Sequence, residues 1–110
     1  MNLQIDVTES NEKSVVNLTG EIDAYTAPKL KEAVLPLTKA NGQTVEVNLE
    51  DVDYMDSTGL GVFISALKST KENDSKLKLV NLQDRVARLF KITGLDEIID
   101  IGTAIRGENS

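Results

Sequence analysis

Val45-Glu46-Val47-Asn48-Leu49, then Glu50-Asp51-Val52-Asp53-Tyr54-Met55-Asp56, then Ser57-Thr58-Gly59-Leu60-Gly61-Val62-Phe63-Ile64-Ser65-Ala66-Leu67, and after a polar gap Leu77-Lys78-Leu79-Val80-Asn81 are the segments on which the fold turns. Val45, Val47 and Leu49 alternate with polar neighbours, which predicts a strand. The seven residues from Glu50 to Asp56 read as an acidic loop, and Ser57 as the N-cap of a helix. Leu60, Phe63, Ile64 and Leu67 in that helix fit the i, i+3, i+4, i+7 template, and Asn73 to Ser75 closes it before the strand Leu77–Asn81. Strand, helix and strand make a βαβ unit, whose crossover is expected to be right-handed and whose strands are expected to be parallel. Ser57 then falls at the carboxyl edge of the sheet, where α/β folds keep their sites.

Upstream, Leu3, Ile5 and Val7 alternate with polar residues, and Val15 to Leu18 forms a second β-rich run, so the first twenty residues read as a hairpin ended by Gly20. Thr26 is placed to cap a helix with Pro28 in its first turn and Ala27, Leu30, Val34 and Leu37 on its apolar face, running towards Gly42. Pro36 removes the bond to the Glu32 carbonyl, which predicts a kink or an early end. Downstream, a helix from about Asp84 to Thr93 buries Val86, Leu89 and Phe90 and stops at Gly94. Ile98 to Ile101 reads as a short edge strand, and the weakly apolar stretch from Gly102 to Ser110 as a frayed tail. The chain of 110 residues is thus read as one domain, 1–110, of α/β class.

Composition narrows the chemistry. The chain has no cysteine and no histidine. That removes thiol catalysis, iron–sulfur ligation, His-based metal sites and the Ser-His-Asp triad. Twelve Lys and Arg against eighteen Asp and Glu give a net charge of −6, which repels phosphate backbones and anionic lipid headgroups, so neither nucleic acid nor membrane is an expected partner. The start lacks the pattern of a signal peptide, and the longest nearly apolar run, Leu60 to Leu67, is too short to span a bilayer. These features lead us to expect a cytoplasmic address.

Between Asn41 and Leu67 there is no Lys or Arg, whereas Glu46, Glu50, Asp51, Asp53 and Asp56 supply five carboxylates. A serine ends that run. Its ordinary role there is a helix cap. Two features point further. Opposite the Leu60/Ile64/Leu67 stripe stand Thr58, Val62, Ser65 and Ser69, a small uncharged face suited to docking. Gly59 and Gly61 lie in the first turns of a helix, where each costs about 0.8 to 1 kcal/mol against Ala, so close approach of another group or tight packing on the sheet must require them. Gly59-x-Gly61 lacks the third glycine of a dinucleotide loop and the Gly-Lys-Ser/Thr of a phosphate-binding loop. Asp51, Asp53 and Asp56 could suggest a magnesium-binding receiver, but the accompanying acidic and basic residues are not in place. No cofactor or metal is expected.

Tyr54-Met55-Asp56-Ser57-Thr58-Gly59-Leu60-Gly61-Val62-Phe63 resembles the STAS domain of bacterial anti-sigma-factor antagonists, most closely those of the sigma-B general stress pathway. Leu18-Thr19-Gly20-Glu21-Ile22-Asp23, Leu49-Glu50-Asp51-Val52 and Arg88-Leu89-Phe90-Lys91-Ile92-Thr93-Gly94-Leu95 extend the likeness in the family's order and spacing. One departure is that the chain stops soon after Ile105, without the longer final helix of some members. The resemblance implies the STAS fold, a mixed four- to five-stranded sheet with helices packed against it. It also implies a phosphorylatable serine at Ser57 and a partner that is both anti-sigma factor and serine kinase. A serine phosphatase would reset the switch. Partner contacts are expected from Glu21, Asp23, Tyr25, Asp56, Thr58, Gly59, Gly61, Val62 and Ser65, with Asp23 beside Ser57. The chain is then a substrate, not an enzyme. Two other uses of the same domain stay open: a small-ligand or nucleotide sensor, and a subunit of a larger signalling or transporter assembly.

Overall fold

In a computed structural model describing residues 2–102, the chain folds as β1 (Leu3–Glu9), β2 (Lys13–Ile22), α1 (Ala27–Thr38), β3 (Thr44–Met55), α2 (Ser57–Asn73), β4 (Lys76–Val80), α3 (Asp84–Ile92), a 3-10 turn (Leu95–Glu97) and β5 (Asp100–Gly102). The strands lie in the order β1-β2-β3-β4-β5, with β1 antiparallel to β2 and every later neighbour parallel. This is the mixed five-stranded sheet expected. The short edge strand is Asp100–Gly102, preceded by the 3-10 turn, where Ile98–Ile101 was expected. The frayed tail and Ile105 lie outside the described residues, apart from Gly102, which ends β5.

One face of the sheet carries the core. Val16, Leu18, Val45, Val47, Leu49, Leu77 and Leu79 are buried there under Leu30 and Val34 of α1 and Phe63 and Ala66 of α2. Phe90 of α3 joins them, its ring 6.1 Å from that of Phe63 at an interplanar angle of 56°. The alternate residues, among them Asn17, Glu46, Asn48 and Lys78, are only part-buried on the other face.

Three further differences from expectation each have a local reason. Strand β2 does not end at Gly20 but runs to Ile22. Gly20 has φ +127°, and a Cβ there would collide with the Asn2 carbonyl, whose oxygen also accepts the Glu21 N–H at 2.9 Å. Helix α1 passes through Pro36 and ends at Thr38, short of Gly42. The carbonyl bond that Pro36 forfeits falls in the last turn, so it shortens the helix without breaking it.

The third difference is the largest. Glu50–Asp56 is not a loop: strand β3 continues to Met55 through two irregularities in its pairing with β2. Leu18 alone stands opposite Leu49 and Glu50, and no residue stands opposite Asp53. Each extra residue turns the strand's faces over. The buried positions therefore pass from Val45, Val47, Leu49 to Val52 and Met55, a spacing of three that alternation rules read as irregular.

Candidate functional site

The bulged end of β3 delivers the chain to the carboxyl edge of the sheet, where α2 begins. Asp56 has extended backbone, and its Oδ1 accepts the N–H groups of Thr58 at 2.9 Å and Gly59 at 3.4 Å. Asp56, not Ser57, is the N-cap. Asp serves as well as Ser in that role, and the strand places it where the chain turns. Ser57 is the first helical residue, exposed, and its hydroxyl makes no hydrogen bond among the described residues.

The β2–α1 turn lies alongside. The Asp56 N–H donates to the Ile22 carbonyl at 3.3 Å, which ties the two loops together. Asp23, the next residue, is 8% exposed. Its Oδ1 accepts the N–H groups of Tyr25 at 2.9 Å and Thr26 at 3.0 Å, so this carboxylate builds the turn into α1. Glu21, Asp23 and Asp56 share with Tyr25 and Tyr54 a groove of about 310 Å³, lined by no cation among the described residues. Tyr25 is 87% exposed. Tyr54 lies outside the site expected from sequence, although an aromatic within an acidic run marks it.

A second groove, of about 400 Å³, runs between α1 and α2 and is lined by Ala24, Pro28, Lys31, Thr58, Gly61 and Ser65 among others. The α1 side of it was not foreseen. Val62 and Ser69 are both buried, because α1 covers that side of α2: Val62 lines this groove while 5% exposed, and the Thr38 hydroxyl donates to Ser69 Oγ at 2.6 Å. Ile64, assigned to the core stripe, is 40% exposed instead.

The two glycines separate. Gly59 is buried, and a Cβ on it would stand 2.7 Å from both Ile22 Cγ2 and Met55 Cγ, so its need for glycine is met inside the molecule, by packing of α2 on the strand ends. Gly61 has nothing within 4 Å of such a Cβ. No contact among the described residues accounts for it, and it faces the α1–α2 groove.

Among the described residues, no group of three or more His, Cys, Asp or Glu side chains is arranged to hold a metal ion. No helix among them is long and apolar enough to cross a membrane.

The STAS domain family profile matches residues 4–107. An anti-sigma-B factor antagonist of Bacillus subtilis is 48% identical over 107 residues, covering 97% of each chain. The crystal structure of an anti-sigma factor antagonist from Mycobacterium paratuberculosis superposes with a TM-score of 0.83 at 23% identity, over 94% of this chain and 88% of that one. SpoIIAA, an anti-sigma factor antagonist of Bacillus, matches in its unphosphorylated form at TM-score 0.70 and 18% identity, over 94% of this chain and 89% of its own. Its phosphorylated form matches at 0.69 and 20%, over 93% and 92%. With the profile spanning nearly the whole described sheet and a close relative matched end to end, the chain belongs to the STAS domain family, among its anti-sigma-factor antagonists.

Proposed function

We propose that the protein works by partner switching: unphosphorylated, it binds an anti-sigma factor that is also a serine kinase and so releases the sigma factor, and phosphorylation on Ser57 ends that binding. The observation that carries this reading is the exposed Ser57 hydroxyl, left uncommitted because Asp56 takes the capping role. A serine that only capped its helix would have no hydroxyl to spare. The relative's role as an anti-sigma-B factor antagonist points the same way.

The physics favours a switch at the interface over a refolding one. A phosphate at the start of α2 meets the positive end of the helix dipole, a local gain of about 0.3 to 1 kcal/mol. It also adds about −1.5 to −2 charge beside Asp56. In the free domain these effects largely offset each other. At a docked surface the new charge must lose water against a partner matched to a neutral serine, so repulsion and desolvation dominate. ATP and magnesium chemistry belongs to the kinase partner, and a separate serine phosphatase resets the serine.

Phosphopeptide mapping after incubation with ATP and the kinases of the source cell tests the assignment. Phosphate on Ser57, absent from Ser57→Ala, is expected. Phosphate mainly on Thr58 or Ser65 would end it.

A further inference from the structure

The two bulges of β3 leave three of its residues outside the strand pairing, Leu49 and Glu50 at the first and Asp53 at the second. Backbone groups released in this way need other partners. At Glu50 both groups find side chains. Its N–H donates to Asn48 Oδ1 at 3.1 Å, and its carbonyl accepts from Gln83 Nε2 at 2.8 Å. Asn48 is fixed from both sides, donating to Asn17 Oδ1 at 2.9 Å and accepting from Asn81 Nδ2 at 3.1 Å. An amide ladder thus runs from β2 across β3 to the residue after β4. At the second bulge, Arg85 Nη1 reaches the Asp53 carbonyl at 3.5 Å, the outer limit of a hydrogen bond.

Gln83 departs from the usual residue choice to make its bond. It is the N-cap of α3, a position that favours Ser, Thr, Asp or Asn, and its side chain makes no capping bond. A local rule broken in this way signals a gain elsewhere. The gain is at the strand end that carries Tyr54, Met55, Asp56 and Ser57. Were the extra residue at the first bulge absorbed, the faces beyond it would exchange: Met55, now 4% exposed, would turn outward and Tyr54, now 45% exposed, inward.

We propose that Asn48 and Gln83 are positioning residues for Ser57, holding the first bulge of β3 and so setting where the strand delivers the Asp56 cap and the serine. The consequence for phosphate transfer rests on Ser57 as the modified residue; the consequence for the α2 N-terminus does not.

Amide hydrogen exchange on the full chain, with the initial rate of phosphate transfer from ATP by source-cell kinases, tests it. Asn48→Ala and Gln83→Ala should each speed exchange at Thr58 and Gly59, the amides Asp56 holds, by about fivefold, the worth of one hydrogen bond. Transfer to Ser57 should slow by a similar factor. Asn48→Asp keeps an acceptor for the Glu50 N–H and should restore both. Asn17→Ala removes one of the bonds that orient Asn48 but leaves its contact with Glu50 in place, so it should change both less than Asn48→Ala does. Should Asn48→Ala fail to fold, Gln83→Ala, at a part-exposed position, still decides. Unaltered exchange at Thr58 and Gly59 in Gln83→Ala, or an equal change in Asn17→Ala, would overturn the proposal. If the unsubstituted protein takes phosphate elsewhere, the Ser57 assignment falls, while the exchange readout still decides the clamp.

Discussion

Gly59→Ala and Gly61→Ala are expected to move stability in opposite directions, although the two residues share one helix and one chemical change. Alanine gains about 0.8 to 1 kcal/mol over glycine in a helix. At Gly61 nothing lies within 4 Å of the added methyl, so most of that gain should survive and raise the midpoint of thermal unfolding by about 4 to 8 °C. At Gly59 the methyl would stand 2.7 Å from two side chains that are themselves 0% and 4% exposed, Ile22 and Met55, and cannot swing into solvent. Overpacking of that kind costs about 1 to 3 kcal/mol, which outweighs the helix gain and leaves a net loss of roughly 1 kcal/mol. Urea unfolding of both variants measures the two signs. Gly61→Ala less stable than the parent, or Gly59→Ala more stable, would refute the packing argument. A second readout concerns the partner: Gly61→Ala should be the more stable protein and the weaker binder, and unchanged affinity would show that the groove takes no close approach there.

Asp56→Ala should cost about 0.5 to 2 kcal/mol and Ser57→Ala less than about 0.5, as chemical denaturation would show, because only the first removes a cap. Asp23→Lys leaves two turn N–H groups without their acceptor and buries a cation, so it should destabilise by about 2 to 4 kcal/mol, whereas Asp23→Asn keeps the acceptor and isolates the charge in a binding titration. Ser57→Asp and Ser65→Arg should each weaken partner binding about a thousandfold in calorimetry while amide shifts in free Ser57→Asp stay confined to the start of α2. Shifts reaching Leu3–Val7 would favour a refolding switch.

Much of the fold was legible because it rests on periodicity. The hairpin, the βαβ unit and the position of Ser57 at the carboxyl edge follow from Val45, Val47, Leu49 and the α2 apolar stripe, which keep their periods of two and 3.6. The end of β3 was not legible, because bulges change the spacing of its inward residues and a local reading sees only acidic residues. The faces of α2 were half legible. Its sheet side follows from Phe63, but the burial of Val62 and Ser69 depends on α1 lying against it, which one helix's pattern does not encode. The choice between Asp56 and Ser57 as cap was equally balanced by propensity and was decided by where the strand ends. The partner of Gln83 was not legible, because Glu50 lies 33 residues earlier in the chain.

The contact between Asn2 and the Gly20–Glu21 stretch has a practical consequence for anyone who builds on this domain. The Asn2 carbonyl sits against Gly20 and accepts the Glu21 N–H, so Asn2 stands beside the acidic edge. On the proposed function, a bulky group attached at Asn2 would crowd the approach of a docking partner and lower its apparent association rate. The same proximity makes a small dye at Asn2 a sensitive reporter, dimmed or shifted as the edge is covered and restored as the complex comes apart.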